Sequence, residues 1–471
     1  MTIIMFVTCF VTVTAADDSR DEWADYYATC DNTKITLTPG SDETELNFCW
    51  HSELGLSRPK VRISKKADMS DYKEFAGYAK ISEIAKQRAN YVTVTGLEEN
   101  TTYYYTYASA DQFSKPVAYR THSFDSFKFL FVSDTQPSYK EGTDTHIDKS
   151  YEWNKTLKAA FDNNDDISFI VHGGDITAHK DRTEEWTAFL APEYLRSYAN
   201  ATVMGNHDAA KTQYKNYFNN PNTYHGISPT TYGEGYWFRY GDVLFIMINA
   251  FKKNFFDNHM LIKNAVEANP DAKWRIAVSH LDPYGTGSHT YDDDDVTNFR
   301  EQVVPALEYY DIDLVLNGHD HIYGRSYFMK DNKVVQNDGY ANGKVTDPEG
   351  IMYLTATASS GNSKPYDEEY AKHTAPWIGM VRDDNTNDCY STIEITDDGQ
   401  LNINSFDKVT GEKIDTFTIV KTDYNFDQED TVGGVIGHYF KYLMGEYFII
   451  VEMFYDFVSS LKKVFDIFTV A

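Results

Sequence analysis

The chain has 471 residues, a formal net charge of −28 at pH 7 and 24% charged residues. A chain of this length exceeds one small core, and two or three domains are expected. The acidic balance argues against nucleic-acid binding, which normally needs a basic face. It also repels phosphate groups from the protein as a whole. Attraction of a phosphorylated substrate therefore needs local positive charge, which bound divalent ions supply strongly.

The N-terminal segment, MTIIMFVTCFVTVTAADD, is apolar as far as Val13, then small, then acidic. This order predicts a secretory signal peptide over residues 1–16, although no basic residue precedes the apolar stretch. An ordinary N-terminal strand is the alternative. Export would make the mature protein secreted or extracytoplasmic. In that environment Cys30 and Cys49 are candidates for a disulfide, which would leave Cys389 unpaired.

Residues 34–122 alternate polar and apolar side chains in short bursts separated by turn residues, as in KVRISKK and NYVTVTGLEENTTYYYTYAS. Short strands at this spacing predict an all-β sandwich, which we bound at residues 20–123. No metal-ligand pattern occurs in this stretch. We therefore expect a positioning or binding module and not a catalytic one.

From Phe127 to about Ile322, apolar runs alternate with segments of helical period such as YEWNKTLKAAFDNN and EEWTAFLAPEYL. Strands alternating with helices predict an α/β domain. Residues 350–421 return to strand character, and we expect them to complete a second sheet packed on the first. The predicted catalytic domain therefore spans residues 126–422.

The C-terminal tail, residues 430–471, is dense in Phe, Tyr, Ile and Val. Lys441, Glu446 and Glu452 interrupt it. These charges argue against a membrane span, which needs about twenty nearly uninterrupted apolar residues. An amphipathic helix that packs on the protein or on a partner is the favoured interpretation, and contact with a membrane surface is the alternative.

Five apolar runs of the predicted α/β domain end in side chains that bind metals. Ligands of open α/β sheets lie beyond the carboxyl ends of the strands, so these side chains predict a single site. They are Asp134 after FKFLFVS, Asp175 after ISFIVHGG, Asn206 and His207 after ATVMG, His280 after WRIAVS, and His319 and His321 after DLVLNG.

Carboxylate, amide and imidazole donors together suit Zn, Fe or Mn. Six or more donors exceed what one ion with an open position needs. Two ions that share a carboxylate, about 3.5–4 Å apart, would use the whole set and activate a water molecule. His207 adjoins Asn206 and is therefore placed as a general acid, with Asp208 able to orient its ring.

A run of four aspartates, Asp292 to Asp295, is a second place where a cation is conceivable. Acidic runs are usually exposed and solvated, and we favour a solvated loop here.

The ordered blocks SDTQ, GGD, GNHD, VSH and GHDH resemble the calcineurin-like metallophosphoesterase superfamily, most closely its purple acid phosphatase-like branch. The resemblance extends from Phe127 to Ser326. The preceding β-domain resembles the fibronectin type III-like domain that precedes catalysis in purple acid phosphatases. These likenesses imply an α/β fold in which a two-sheet β-sandwich is flanked by helices, with the all-β sandwich before it and the amphipathic helix after it.

Carried over by position, the resemblance implies two divalent or trivalent metal ions bridged by Asp175. Asp134 and His321 would bind one ion, and Asn206, His280 and His319 the other. His207 would be the acid that contacts the substrate, and a metal-bound hydroxide would attack phosphorus in line.

Two positions depart from the family pattern. Ala178 stands where purple enzymes have a tyrosine ligand, so neither the purple colour nor a ferric ion is expected. Gln136 stands where many members have a histidine. Its side-chain oxygen is a weaker metal ligand than an imidazole.

The sequence thus predicts an exported dinuclear phosphoesterase that hydrolyses small phosphate monoesters. One alternative is a phosphodiesterase or nucleotide-hydrolysing member of the same superfamily. The other is a catalytically silent extracellular binding protein.

Overall fold

In this computed structural model the described residues are 19–422, except for residues 57, 83, 85, 180–181, 210–212, 231–232, 253–254 and 383–386. The predicted signal peptide and the predicted C-terminal helix lie outside these residues. Among the helices of the described part, none combines the length and the apolar character that crossing a membrane requires.

The helices and strands follow one another along the described chain with mostly short connections. The α-helices are α1 (Arg20–Tyr27), α2 (Thr145–Asn163), α3 (Thr183–Leu190), α4 (Phe255–Ala268), α5 (His289–Asp292), α6 (Asp294–Gln302), α7 (Val304–Tyr309) and α8 (Glu368–Thr374). The first strands are β1 (Thr36–Pro39), β2 (Leu46–Glu53), β3 (Lys60–Ser64), β4 (Lys73–Ala76), β5 (Tyr78–Ile81), β6 (Gln87–Val94), β7 (Thr102–Ala108) and β8 (Val117–Arg120).

The remaining strands begin at Phe127. They are β9 (Phe127–Val132), β10 (Ile167–His172), β11 (Ala199–Thr202), β12 (Tyr236–Tyr240), β13 (Val243–Met247), β14 (Trp274–Ser279), β15 (Leu314–His321), β16 (Gly324–Ser326), β17 (Phe328–Lys330), β18 (Lys333–Val335), β19 (Lys344–Thr346), β20 (Met352–Thr357), β21 (Ile378–Val381), β22 (Cys389–Ile395), β23 (Gln400–Asp407) and β24 (Lys413–Val420).

The N-terminal β-domain consists of two four-stranded antiparallel sheets, ordered β1-β2-β6-β5 and β4-β3-β7-β8. Its core lies between the sheets, where the rings of Phe48 and Tyr105 meet at 5.0 Å. Both residues are fully buried. The alternation of polar and apolar side chains seen in the sequence therefore corresponds to strands with one face in a core.

The predicted catalytic domain is built around two seven-stranded sheets, ordered β11-β10-β9-β22-β23-β24-β19 and β12-β13-β14-β15-β20-β16-β21. Aromatic side chains fill the space between them: Phe245 of the second sheet meets Phe129 and Phe169 of the first at 5.2 Å and 5.5 Å. Helices α2 and α3 cover the outer face of the first sheet. Helices α4, α6 and α7 cover the outer face of the second. The predicted α/β fold is confirmed.

One expectation about the sheets is wrong in detail. The strands of residues 350–421 do not form a sheet together, because β20 pairs in parallel with β15 in the second sheet. Strands β22 to β24 instead extend the first sheet, where β22 runs antiparallel to β9. Apolar alternation identifies a strand but not its neighbour, which the order of pairing decides.

The N-terminal β-domain is held against the segment that follows the GNHD block. The Tyr91 hydroxyl donates to the Lys215 carbonyl at 3.1 Å, and the Thr38 hydroxyl donates to the Asn219 carbonyl at 2.9 Å. The ring of His51 packs against Tyr217 at 4.7 Å. This contact suits the positioning role expected of the domain.

The expected disulfide between Cys30 and Cys49 is not present, since both are free thiols. Cys49 lies in β2, and its thiol faces the Asn216 carbonyl at 3.1 Å. Cys30 follows α1, whose Trp23 packs in a cluster with Ala188 of α3. The two cysteines are therefore turned toward different parts of the catalytic sandwich.

Candidate metal centre

The predicted ligands meet at one edge of the two central sheets. Strands β9 and β10 run parallel in the first sheet, and β14 and β15 run parallel in the second. Their carboxyl ends therefore deliver side chains to the same edge. Three of these side chains, those of Asp134, Asp175 and His280, are at most 1% exposed.

One half of the site is formed by Asp134, Asp175 and His321, whose ligand atoms all lie within 4.8 Å of one another. His321 Nε2 is 3.1 Å from Asp134 Oδ1. The Gln136 side chain reaches the same place, where its amide nitrogen donates to Asp175 Oδ2. Gln136 thus contacts the carboxylate expected to bridge the ions.

The other half of the site contains Asn206, His280 and His319. His280 Nε2 lies 3.0 Å from Asn206 Oδ1 and 3.5 Å from Asp175 Oδ2. The His319 ring is 4.9 Å from the His280 ring. Asp175 therefore lies within reach of both halves, as a bridging carboxylate requires.

Charge in the site is paired within the protein. Burial alone would disfavour the charged form of His280, but the neighbouring Asp175 outweighs it and raises its pKa to about 9. Burial likewise opposes charge on Asp134, but the adjacent His321 holds the pKa of that carboxyl below its usual range. Metal ions displace protons from such ligands on binding, so this donor set fits a pair of cations.

The backbone of the site is held in an unusual conformation. Positive φ angles, which side chains other than glycine rarely adopt, occur at five of the predicted ligand positions. They are Asp134 (52°), Gln136 (35°), Asp175 (53°), His319 (80°) and His321 (64°). Strained backbone of this kind clusters at functional sites, where the surrounding structure maintains it.

Glycines in the GNHD and GHDH blocks leave room for the predicted ligands. A Cβ atom on Gly205 would lie 1.9 Å from Asp175 Oδ1, and one on Gly318 would lie 2.5 Å from Asp134 Oδ2. Because these two glycines have no side chain, the backbone before Asn206 can approach the Asp175 carboxylate, and the backbone before His319 can approach the Asp134 carboxylate.

His207 sits at the opening of the site, with a side chain that is 44% exposed and Nε2 3.9 Å from Asp175 Oδ2. The expectation that Asp208 orients its ring is wrong. Nδ1 of His207 is instead 2.7 Å from the Ala178 carbonyl. Asp208 is buried and accepts the backbone N–H groups of Gly205, Ile176 and Thr177. Its carboxylate has no free direction left for the ring.

His179, which adjoins Ala178, contacts Glu185 through Nδ1 at 2.6 Å, with a side chain that is 59% exposed. His179 is therefore a surface histidine that pairs with Glu185.

The segment of residues 359–364, which carries none of the predicted ligands, supports His321. Its Nδ1 lies 3.1 Å from the Asn362 carbonyl, and its own carbonyl accepts the Lys364 backbone N–H at 3.0 Å. The Ser359 hydroxyl donates to the Ser133 carbonyl at 2.5 Å. The sequence signal for this segment is the small polar run SSGNS, which begins two residues after the end of β20, a strand that pairs with β15.

The comparison with known protein families agrees with the order of the five sequence blocks SDTQ, GGD, GNHD, VSH and GHDH. Residues 127–323 match the calcineurin-like phosphoesterase family. Residues 32–125 match the purple acid phosphatase N-terminal domain. A comparison with curated protein sequences gives no match.

The solved structure of a purple acid phosphatase has a similar fold. The purple acid phosphatase PPD1 from seeds of yellow lupin, Lupinus luteus, matches 84% of this chain and 75% of its own, with a TM-score of 0.66 and 14% sequence identity. GAP50, the anchor in the inner membrane complex of Plasmodium, matches 67% of this chain and 94% of its own, with a TM-score of 0.42 and 14% identity.

Proposed function

Since the chain joins a calcineurin-like phosphoesterase domain to a purple acid phosphatase N-terminal domain, it is a phosphoesterase, and we propose that it hydrolyses phosphate monoesters with two metal ions. The observation that carries this proposal is the position of Asp175. Its carboxylate lies within 4.8 Å of ligand atoms of Asp134 and His321, and 3.5 Å from His280.

The residues divide the chemistry between them. Asp134, His321 and Asp175 would hold one ion, and Asp175, Asn206, His280 and His319 the other, with Gln136 beside Asp175. The pair of ions, once bound, lowers the pKa of water and neutralises charge that develops on the phosphoryl group. Zn, Fe and Mn all accept this mixture of oxygen and nitrogen donors.

His207 would protonate the leaving oxygen. Its Nδ1 is fixed by the Ala178 carbonyl, so Nε2 is the nitrogen free to exchange a proton with the substrate. The partial exposure of its side chain makes that nitrogen accessible from solvent. The proton passes from Nε2 to the ester oxygen as that oxygen leaves phosphorus.

A local positive charge favours a phosphorylated substrate at this edge. The Lys364 backbone N–H donates to the His321 carbonyl at 3.0 Å, so a lysine lies beside one of the proposed metal ligands. An ammonium near the ions attracts the dianion of a monoester more strongly than the monoanion of a diester. This supports the monoester over the diesterase alternative.

The test is hydrolysis of a chromogenic monoester and diester after the protein is loaded with Zn, Mn or Fe, with and without a chelator. We expect chelation to abolish turnover and Asp175→Asn to lose metal. His207→Ala should retain metal but slow turnover by roughly 10²–10⁴-fold, the usual contribution of a general acid.

His179→Ala is the matched control, because His179 is an exposed histidine in the neighbouring loop and should leave turnover unchanged. Metal-loaded protein that is inert toward both ester types would contradict the proposal and favour the silent binding protein. Faster hydrolysis of the diester would favour the phosphodiesterase.

We also propose that the protein is exported and that its tail contacts a protein surface or a membrane surface. The support is the order of residues in segments 1–16 and 430–471. Mass spectrometry of protein recovered outside the producing cell tests export, since the mature chain should begin near Ala16. A vesicle co-sedimentation assay with the full chain and a chain ending at residue 422 tests the tail.

A further inference from the structure

The prediction that the acidic run Asp292 to Asp295 is a solvated loop is wrong, since Asp292 ends helix α5 and Asp294 begins helix α6. Asp293 occupies the N-cap of helix α6, where its Oδ1 accepts the Asp295 backbone N–H at 2.8 Å. Its other oxygen, Oδ2, lies 3.4 Å from Nε2 of His319. One carboxylate thus faces both a helix terminus and a predicted metal ligand.

The nitrogen that Asp293 approaches is otherwise unpaired. His319 is 5% exposed, and its Nε2 is buried without a well-formed hydrogen bond among the described residues. Leaving a buried N–H without an acceptor is costly. The ring is packed between those of His280 at 4.9 Å and His289 at 4.3 Å, which restrict its movement. The nearby carboxylate oxygen of Asp293 is therefore the natural acceptor.

A histidine that binds a metal through one ring nitrogen commonly donates the other ring N–H to a carboxylate. We propose that Asp293 is the positioning residue of His319, accepting its Nε2–H and so fixing the ring for metal binding through the other nitrogen. This inference rests on the proposed function, since it takes His319 as a ligand of the metal pair.

The helix cap gives the contact its rigidity. Because Oδ1 is held by the first turn of α6, the carboxylate cannot turn away freely from His319. A carboxylate that accepts the ring N–H also makes the imidazole more basic, so its other nitrogen binds a metal ion more strongly. Contacts of this kind change metal affinity or activity by about 10–100-fold when they are removed.

Asp293→Ser separates the two roles of the side chain. Serine is as good an N-cap as aspartate, so α6 keeps its cap, but the hydroxyl is too short and uncharged to replace the carboxylate at His319. Asp292→Ser is the matched control. It makes the same substitution one residue away, at an exposed position.

Three quantities are measured for each variant: thermal unfolding of the metal-free protein, metal affinity by competition with a chromogenic chelator, and the number of Zn ions bound. We expect Asp293→Ser to unfold like the wild type without metal, and to bind one of the two ions about 10–100-fold more weakly. Asp293→Asn, which offers a neutral acceptor, should recover part of this affinity. Asp292→Ser should match the wild type in all three.

Equal metal affinity in Asp293→Ser and the wild type would overturn this inference alone. His289, Asp293 and His319 have ligand atoms within 4.8 Å of one another. If the wild type binds a third Zn ion and Asp293→Ser loses it, these three residues form a separate metal site, and this result would also overturn the inference. A wild-type protein that binds fewer than two ions would overturn both this inference and the proposed function.

Discussion

Two buried histidines in different regions have pKa values shifted in opposite directions, although burial lowers the pKa of both. His280, at the metal-ligand edge, has a pKa raised to about 9, because Asp175 outweighs the effect of burial. His51 faces the catalytic part from the N-terminal β-domain, and burial lowers its pKa to about 4. Both side chains are at most 4% exposed. The two rings are buried to a similar depth. The presence or absence of a neighbouring carboxylate therefore decides which histidine carries a positive charge.

The ligand edge and the contact between the N-terminal β-domain and the rest of the chain also differ in how well they tolerate substitutions. At the ligand edge, five backbone positions are strained and two glycines lie against carboxylates. At the domain contact, Tyr91 and Thr38 reach backbone carbonyls by ordinary hydrogen bonds. Small changes of shape should therefore cost activity at the edge, while the domain contact should respond mainly through stability.

The largest effect is expected for Gly205→Ala. The added methyl would lie 1.9 Å from Asp175 Oδ1 and would displace the carboxylate that we propose bridges the two ions. A misplacement of about 1 Å can cost roughly 10²-fold in rate, and we expect at least that loss of monoester turnover with reduced metal content.

Gly55→Ala is the control for that experiment, since a Cβ at Gly55 has no atom within 4 Å. It should leave kcat and metal content unchanged. Retention of both by Gly205→Ala would mean that Asp175 does not have to stay where the structure places it.

Much of the edge was predictable because its ligands follow strands in a fixed order. Asp134, Asp175 and His280 each come within three residues of the end of a buried apolar run, and parallel strands bring such ends together. The two-sheet sandwich followed from the same runs and from the family resemblance.

The role of Asp208 was not predictable from its place beside His207. Which acceptor orients a ring depends on the fold of the loop, and here a backbone carbonyl, that of Ala178, takes the place of the side chain. Backbone acceptors leave no trace in the identity of a residue. The contact of Asp293 was not predictable for a related reason, because it joins the N-cap of helix α6 to His319 of strand β15, which no sequence pattern pairs.

Asp208→Ala is expected to have the next largest effect, and it tests whether the edge depends on buried charge for stability as well. Removal of the carboxylate leaves the N–H groups of Gly205, Ile176 and Thr177 without their acceptor. Each buried unsatisfied group costs about 1–3 kcal/mol, so we expect about 3 kcal/mol or more of lost stability in chemical denaturation.

Asp398→Ala is the comparison for Asp208→Ala, because Asp398 caps an exposed turn through Thr396 and Gln400. Its loss should cost far less. If both variants unfold at the same denaturant concentration, Asp208 does not hold the GNHD loop.

His51→Gln probes the opposite region through the dependence of stability on pH. The pKa of His51 is about 4 when folded and 6.5 in the ordinary state, so the unfolded chain binds the proton first as pH falls. The stability from a neutral His51 is complete above pH 6.5 and is lost progressively toward pH 4. Relative to pH 7, the wild type should lose about 2 kcal/mol by pH 5 from this group.

The His51→Gln variant should lack that loss, so its unfolding free energy should fall less between pH 7 and pH 5 than that of the wild type. His373→Gln, at an exposed histidine, should follow the wild-type curve. Parallel curves for all three proteins would show that His51 is not held neutral by burial.

Ser82→Asp turns the comparison between the two histidines into a direct experiment. The Ser82 hydroxyl lies 3.4 Å from Nε2 of His51, so an aspartate there places a carboxylate near the ring, as Asp175 is placed near His280. We expect the pKa of His51 to rise by about one unit or more, since an opposite charge at this range favours the imidazolium. NMR titration of the His51 ring measures the shift, and Ser82→Asn, which has the same size without the charge, is its control. If the pKa of His51 rises equally in both variants, hydration of the ring, and not a neighbouring carboxylate, accounts for the difference in pKa between His51 and His280.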